Sequence, residues 1–201
     1  EITNRLHALL KPRLAAERMT TLYETMERPL IPILVEMERT GIKVDVVELK
    51  ALSADFAKRI AELESEIHAL AGREFNIGSP KQLGEVLFDE MSLEGGRKGK
   101  TGAYGTGADV LEGLAAQGHD LPARVLDWRQ LAKLKSTYTD ALIEQINSDT
   151  GRVHTSYAMT VAQTGRLSST DPNLQNIPVR TEEGRKIRRA FVAEAGHKLV
   201  S

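Results

Sequence analysis

The chain of 201 residues contains no cysteine, which excludes a disulfide scaffold and thiolate metal sites. Aromatic residues make up only 4% of it, and no apolar run is long enough to span a bilayer. The first residues show neither an initiator methionine nor a signal-peptide pattern, so we expect a segment of a longer protein. With 41% apolar and 27% charged residues, the composition is typical of a soluble globular protein, and the missing cysteines fit the cytoplasm.

The net charge is only −1, but charges are distributed unevenly along the chain. Residues 1–91 hold 12 Lys and Arg against 16 Asp and Glu, whereas residues 92–201 hold 15 against 12. Any anion-binding surface is therefore expected in the second half. This excess is far below the strongly basic balance of a dedicated nucleic-acid binder, so composition alone leaves chance scatter as an alternative.

The longest regular pattern is an apolar stripe whose members are 3, 4, 4, 3, 4 and 3 residues apart, as on one face of a long helix. Asp45 is the expected N-cap of this helix and Gly72 its stop. Two arrangements would cover the stripe: an antiparallel helix from residues 122–147, which we favour, or a second protein bound to a helical scaffold. The stripe consists of Leu49, Leu52, Phe56, Ile60, Leu63, Ile67 and Leu70.

The pattern changes near residue 150. Residues 152–161 alternate in a β-like way, and residues 187–193 and 197–201 are candidates for further short strands. The predicted fold class is therefore mainly α, with long antiparallel helices and a glycine-rich tip, followed by a small β or α+β segment. We expect a domain boundary at this change.

Residues 95–107 contain six glycines and three cations and are expected to form a mobile tip. The segment 95–101 is similar to a phosphate-binding P-loop. However, three residues rather than four separate its first glycine from Gly-Lys, and no apolar strand precedes it. We reject a nucleotide-binding loop. A basic tip that touches phosphates and a plain linker both remain open.

Cations and hydroxyls share one face of the helix predicted in residues 122–147. Arg129 and Lys133 are four residues apart, and Ser136 and Thr137 lie one turn further on. Such a row suits phosphate oxygens, which accept most protein–DNA hydrogen bonds. The alternative is a solvated face opposite the leucine stripe.

The run from Thr164 to Arg180 is dense in donors, turn formers and cations. Arg166 lies between a β-like segment and a turn at residues 171–173, and either an exposed cation or an ion pair with a nearby carboxylate fits that place. The amides of Gln175 and Asn176 both donate and accept, which suits the acceptors at minor-groove edges. The five histidines show no metal-ligand spacing.

Three blocks, in order, carry a specific resemblance: LAKLKSTY at residues 131–138, TGRVHT at 150–155, and TGRLSSTDPNLQNIPVR at 164–180. On these blocks, and on FNIGSPKQL at 75–83, the chain resembles the family A DNA polymerases of the bacterial DNA polymerase I type over essentially its whole length. The resemblance implies a DNA-directed DNA polymerase of replication or repair in the bacterial cytoplasm, at the nucleoid, in which this chain grips the duplex.

The resemblance also implies a domain map and a set of DNA contacts. Residues 1–28 would be the tail of a 3′–5′ exonuclease-like domain, residues 29–150 the thumb, and residues 151–201 the start of the palm. Arg166 would reach the minor groove at the primer terminus, and the other residues would contact the strands near it or their phosphates. The expected set is Arg166, Asn173, Gln175, Asn176, Arg180, Arg129, Lys133, Ser136, Thr137, Asn76, Ser79 and Thr106.

The chain departs from the family pattern in two places. Gly105-Thr106-Gly107 replaces a Ser-Thr-Ser-like segment, so Thr106 is expected to bind phosphate alone. The family's metal-binding aspartates come after the last residue, so two Mg²⁺ ions and dNTP are implied for a longer parent enzyme only. The chain by itself is expected to lack catalytic residues and polymerase activity. A non-enzymatic, sequence-independent duplex-binding module is the alternative, and self-association through uncovered strand edges is a further expectation.

Overall fold

The computed structural model describes residues 1–99 and 102–200. The chain is mainly helical with a small β part, which confirms the fold class expected from the sequence. Its internal contacts divide it into two compact units. Unit 1 comprises residues 1–44, 145–176 and 192–201, and unit 2 comprises residues 45–144 and 177–191. None of the described helices is both long and apolar enough to cross a membrane.

The elements are as follows. The α-helices are α1 (Ile2–Ala16), α2 (Thr20–Leu22), α3 (Arg28–Thr40), α4 (Val46–Ala71), α5 (Pro80–Gly84), α6 (Ala108–Ala116), α7 (Asp120–Leu134), α8 (Ala141–Glu144) and α9 (Glu182–Arg189). Wider π-helical turns lie at Tyr23–Glu27, Glu85–Glu90 and Lys135–Asp140. The strands are β1 (Ile42–Val44), β2 (Arg152–Val153), β3 (Ser156–Ala158), β4 (Ser168–Thr170) and β5 (Phe191–Val192).

Helix α4, in unit 2, begins and ends where the sequence predicts. The Asp45 side chain accepts hydrogen bonds from the N–H groups of Val47 and Glu48, which satisfies donors that the first turn leaves free. Gly72 ends the helix at φ +73°, in the left-handed region that favours glycine. The apolar stripe faces the interior, because Leu49, Leu52, Phe56 and Ile67 are all buried.

Helix α7 and the turn after it cover this stripe in the antiparallel sense. Arg124 pairs with Glu66, Trp128 donates to Glu64, and Ser53 donates to Asp140, so the partner number falls as the chain advances. The predicted intrachain partner is thereby confirmed, although Leu70 at the end of the stripe is 43% exposed. Helices α5 and α6 of unit 2 pack against this pair around a core that includes Ile67, Leu83, Leu87, Leu111, Leu121 and Val125.

Tyr104 ties the glycine-rich tip to the π-helical turn Glu85–Glu90. Its ring packs on Phe88 with ring centroids 4.8 Å apart, and its hydroxyl donates to Asp89. An antiparallel bridge joins Lys98 to Tyr104, and the Lys98 Nζ lies 4.5 Å above the Tyr104 ring. Glycine content did not predict these hairpin-like contacts in the described part of the tip, and its expected mobility stays a prediction. Residues 100 and 101 lie outside the described residues.

Unit 1 contains the β part, except for Phe191 of β5, which belongs to unit 2. One sheet has the order β2-β1-β5, with Ile42 opposite Val153 in the antiparallel β1–β2 pair. The other is the antiparallel β3–β4 hairpin, in which Tyr157 lies opposite Ser169. The strand proposed for residues 187–193 is confirmed only as β5, because residues up to 189 belong to α9, and residues 197–200 form no strand. The assignment of an exonuclease-like tail, thumb and palm to residues 1–28, 29–150 and 151–201 stays a prediction.

Candidate functional site

Arg166 lies in the segment that connects the two strands of the β3–β4 hairpin. Gly165, at φ +77°, directly precedes it and donates its N–H to the carbonyl of Ala162 at 3.2 Å. The Arg166 side chain is exposed, and within residues 1–99 and 102–200 its guanidinium has no hydrogen bond or ion pair. Of the two possibilities that the sequence left open, the described structure therefore shows the exposed cation.

Two buried hydroxyls join this hairpin to the turn that follows it. Thr155 is 6% exposed and Ser169 is 0% exposed, and their Oγ atoms are 2.7 Å apart. The Thr155 hydroxyl also lies 2.9 Å from the carbonyl of Thr170 and 2.7 Å from that of Pro172. Ser169 Oγ accepts from the N–H of Leu174 at 3.2 Å. Because buried polar groups need partners, this pair holds the backbone of residues 170–174 in one conformation.

The side-chain amides of Asn173 and Gln175 form hydrogen bonds within the protein. Asn173 Oδ1 accepts from the N–H of Gln175 at 3.0 Å, a local turn that such side chains favour. Gln175 Oε1 accepts from the N–H of Ser169 at 3.3 Å, and Gln175 Nε2 donates to the carbonyl of Leu167 at 2.8 Å. Asn173, Gln175 and Asn176 are all exposed. The exposed Gln175 side chain thus also hydrogen-bonds to the backbone of Leu167 and Ser169.

Arg129, in α7, contacts the segment that leads into α6. Its Nη1 donates to the carbonyl of Thr106 at 2.6 Å, and its Nη2 lies 3.5 Å from the Thr106 hydroxyl. Thr106 is only 6% exposed. Burial lowers the pKa of Arg129 from its ordinary value, although an arginine side chain keeps its proton in proteins. These two expected phosphate ligands engage each other.

The row of donors beyond Arg129 passes into the π-helical turn Lys135–Asp140. Lys133 and Thr137 are exposed, and neither side chain has a hydrogen-bond partner in the described part of the chain. Ser136 donates to the carbonyl of Lys133 at 3.3 Å. Because a π-helical turn is wider than an α-helical one, Ser136 and Thr137 do not continue the α-helical face at the phase that the spacing predicts.

Asp140 is a structural residue that the sequence reasoning missed. Its carboxylate accepts from Ser53 at 2.6 Å and from Lys135 Nζ at 2.7 Å. Burial raises the pKa of Asp140, but the hydrogen bonds from Lys135 and Ser53 outweigh it, and the pKa lies below its ordinary value. The five-residue spacing between Lys135 and Asp140 is a signal only if a π-helical turn is expected there.

Asn76 and Ser79 use their side-chain oxygens locally. Asn76 Oδ1 accepts from the N–H of Gly78 at 3.0 Å. Ser79 caps α5 by accepting from the N–H of Gln82 at 3.4 Å. The amide N–H groups of Asn76 and the hydroxyl proton of Ser79 have no partner among the described residues, so both side chains still offer donors.

Arg180 stands just before α9. Thr181 caps that helix by accepting from the N–H of Gly184 at 3.1 Å, and the Arg180 carbonyl accepts from Arg185 at 3.3 Å. The Arg180 side chain itself is exposed, and in the described ranges it has no partner. Lys186 on the same helix is paired with Glu182 at 3.2 Å.

The expected site residues fall into two groups. Unit 1 brings together Arg166, Asn173, Gln175 and Asn176, and unit 2 contains Arg180, Arg129, Lys133, Ser136, Thr137, Asn76, Ser79 and Thr106. Within residues 1–99 and 102–200, no group of three or more His, Cys, Asp or Glu side chains is arranged to hold a metal ion. The chemistry of these groups is donation of hydrogen bonds and positive charge to an anionic or acceptor-rich ligand.

Comparison with known proteins agrees with that chemistry. The family model described as DNA polymerase family A matches residues 46–201. The chain is 59% identical to DNA polymerase I of Rhizobium leguminosarum over 201 residues and 50% identical to the thermostable DNA polymerase I of Thermus aquaticus over 202 residues. All of this chain is covered in both cases, but only 20% and 24% of those relatives, so the chain spans about a fifth to a quarter of their length.

A solved structure is similar in fold as well as in sequence. It is the POL domain of Pol1 from M. smegmatis in complex with a DNA primer-template and dNTP. The TM-score is 0.86 at 44% sequence identity, and the match covers 94% of this chain and 33% of that one.

Proposed function

Because this chain belongs to DNA polymerase family A, we propose that it grips the primer–template duplex within a DNA-directed DNA polymerase. The observation that carries the proposal is that the Arg166 guanidinium is exposed and has no partner in residues 1–99 and 102–200, on a loop whose backbone is hydrogen-bonded on both sides of it. Its guanidinium suits the N3 and O2 acceptors of the minor groove, which every base pair presents. A grip of this kind is insensitive to sequence, as template copying requires.

Direct phosphate contacts are assigned to residues that carry donors without a partner in the described structure. These are Lys133, Thr137, Arg180, Asn76 and Ser79. Hydrogen bonds to phosphate position a protein on the duplex but carry no sequence information.

The remaining expected contacts are assigned differently. Asn173, Asn176 and Ser136 are exposed polar side chains that add contacts near the strands. Arg129 and Thr106 hold each other, which makes their role in DNA binding an indirect one.

For the complete protein we propose template-directed attack of a primer 3′-hydroxyl on an incoming dNTP, in chromosomal replication or repair in the bacterial cytoplasm. The two Mg²⁺ ions that this chemistry uses need a cluster of carboxylates. The described residues offer no such donor set, so no catalytic step is assigned to this chain.

Fluorescence anisotropy with a labelled primer–template tests the grip. The purified chain is expected to bind two unrelated sequences with equal affinity, and the affinity should fall linearly with salt on logarithmic axes. Arg166→Ala is expected to weaken binding about tenfold, the worth of a good base-edge contact. Arg39→Ala, an exposed arginine of α3 outside the assigned contacts, is the matched control and should change little.

Absence of duplex binding by the wild type, or an equal loss in Arg39→Ala, contradicts the proposal. A complete protein that binds the duplex but extends no primer would favour the alternative, a non-enzymatic duplex-binding module.

Self-association of the isolated chain is a separate proposal. Helix α1 buries none of its side chains, and Ile2, Leu6, Leu9 and Leu10 are exposed, so apolar surface is available for association. We expect a mass above that of the monomer by light scattering at micromolar concentration. A monomeric mass contradicts it.

A further inference from the structure

Gln175 contacts β4 and the residue directly before it through both polar atoms of its side-chain amide. Leu167 precedes the strand and Ser169 lies in it, and in an extended segment the C=O and N–H of residues two apart lie on the same side. Gln175 Nε2 donates to the first at 2.8 Å, and Gln175 Oε1 accepts from the second at 3.3 Å. The amide therefore takes the place that a backbone peptide of another strand would occupy.

The hydrogen bond from Gln175 to the Leu167 carbonyl fixes the backbone next to Arg166, because Leu167 directly follows it. On the other side of Arg166, Gly165 is held by its hydrogen bond to the carbonyl of Ala162. Arg166 is thus the residue between two fixed points, while its own side chain is exposed and has no partner in the described chain. The backbone of Gln175 is itself held, because its N–H donates to Asn173 Oδ1 at 3.0 Å.

We propose that Gln175 is a positioning residue that acts on the DNA through Arg166, by holding the Leu167 carbonyl and with it the backbone that presents the guanidinium. The proposal rests on the duplex-gripping function proposed above. A direct contact between the Gln175 amide and a base is the alternative, and it would have to use the second N–H of Nε2 or the second lone pair of Oε1, because each atom already has one backbone partner.

A double-mutant cycle in primer–template affinity separates the two roles. Gln175→Met keeps the approximate length of the side chain and removes both hydrogen bonds, and Arg166→Ala removes the group that it positions. If Gln175 acts through Arg166, Gln175→Met weakens binding about five- to tenfold in the wild-type background and less than twofold in the Arg166→Ala background. Equal losses in both backgrounds overturn the proposal, because independent contacts add.

Lys133→Ala supplies the control background. Lys133 lies in unit 2, whereas Gln175 lies in unit 1. In the Lys133→Ala background, Gln175→Met should therefore weaken primer–template binding by the full five- to tenfold. If Gln175→Met merely lowered the fraction of folded protein, the loss would appear in every background, including Arg166→Ala.

A second measurement needs no DNA and so remains decisive if the duplex-gripping function itself fails. In the free protein, the backbone order parameters of Arg166 and Leu167 from ¹⁵N relaxation are expected near the rigid value of about 0.85 and should fall below about 0.6 in Gln175→Met. Unchanged order parameters overturn the positioning role. A wild-type chain that ignores primed duplex, with the order parameters falling as expected, overturns only the function.

Discussion

Arg129 holds Thr106 by its backbone carbonyl, with 2.6 Å between the guanidinium Nη1 and the carbonyl oxygen. The neighbouring Gly105 donates its N–H to the carbonyl of Arg97 at 3.1 Å. One side chain of α7 therefore stabilises the point at which the glycine-rich tip returns to the helical body of unit 2. The sequence places Arg129 in a row of expected phosphate ligands, and in the fold its side chain holds the backbone of Thr106.

Arg129→Lys tests this assignment because it keeps the charge and loses the planar fork that reaches both atoms of Thr106. We expect it to weaken primer–template binding about as much as Arg129→Ala, with the salt dependence unchanged. Lys133→Ala, which removes a proposed phosphate contact, should instead reduce the slope of log affinity against log salt by about 1. Anisotropy titrations at four salt concentrations measure both quantities. Near-wild-type binding by Arg129→Lys would restore Arg129 as a phosphate ligand.

The lowered pKa of Asp140 predicts that the free energy of unfolding depends on pH. Its pKa is lowered in the folded state, so its contribution is present above the unfolded pKa of about 4 and is lost as pH falls through the lower folded value. The side chain is 39% exposed, and solvent screening limits the expected cost of Asp140→Asn to about 1 kcal/mol at pH 7. Urea unfolding at pH 7 and pH 3 should show this difference shrinking at the lower pH.

The control for Asp140 is Glu62→Gln, since the Glu62 carboxylate lies 3.9 Å from Lys58 Nζ in an exposed ion pair on α4. Its effect should stay below about 0.5 kcal/mol at either pH. A difference for Asp140→Asn that does not change with pH contradicts the assigned role of the carboxylate.

Ser169→Ala is expected to destabilise unit 1 by about 1–3 kcal/mol, because it leaves the Leu174 N–H without a partner and removes the hydrogen bonds of the buried Ser169 hydroxyl to Thr155 and to the Pro172 carbonyl. Ser156→Ala, at an exposed position of the same hairpin, should stay within about 0.5 kcal/mol of the wild type. Urea unfolding followed by circular dichroism measures both. Equal stabilities of the two variants would contradict the conclusion that the buried hydroxyls of Thr155 and Ser169 hold the turn after β4.

Two glycine-to-alanine changes should act in opposite directions. A Cβ on Gly184 would collide with the carbonyl of Pro178, so Gly184→Ala is expected to destabilise by about 1–3 kcal/mol. Gly113 lies inside α6, where a Cβ would meet nothing within 4 Å, so Gly113→Ala is expected to stabilise by about 1 kcal/mol. Thermal unfolding of the two variants checks both signs. A Tm for Gly184→Ala at or above the wild-type value would mean that the loop at Pro178 yields easily.

Local rules explain what could be predicted. Helix α4, its cap at Asp45 and its stop at Gly72 follow from spacing and from the needs of helix ends, which involve residues a few positions apart. The antiparallel partner followed because a long apolar stripe must be covered. The family, too, was evident from motifs that are contiguous in sequence and matched by the family model.

The sequence by itself therefore determined the helical architecture, the residue types available for a ligand and the family. Only the tertiary structure decided which donors remain free. Arg129 and Thr106 meet across 23 residues, and Ser53 and Asp140 across 87. A side chain's partner depends on which segments pack beside it, and no local pattern carries that information. For that reason Arg166 and Arg129, equally cationic in the sequence, differ in the fold: the Arg166 side chain is exposed without a partner among the described residues, and the Arg129 side chain holds the backbone of Thr106.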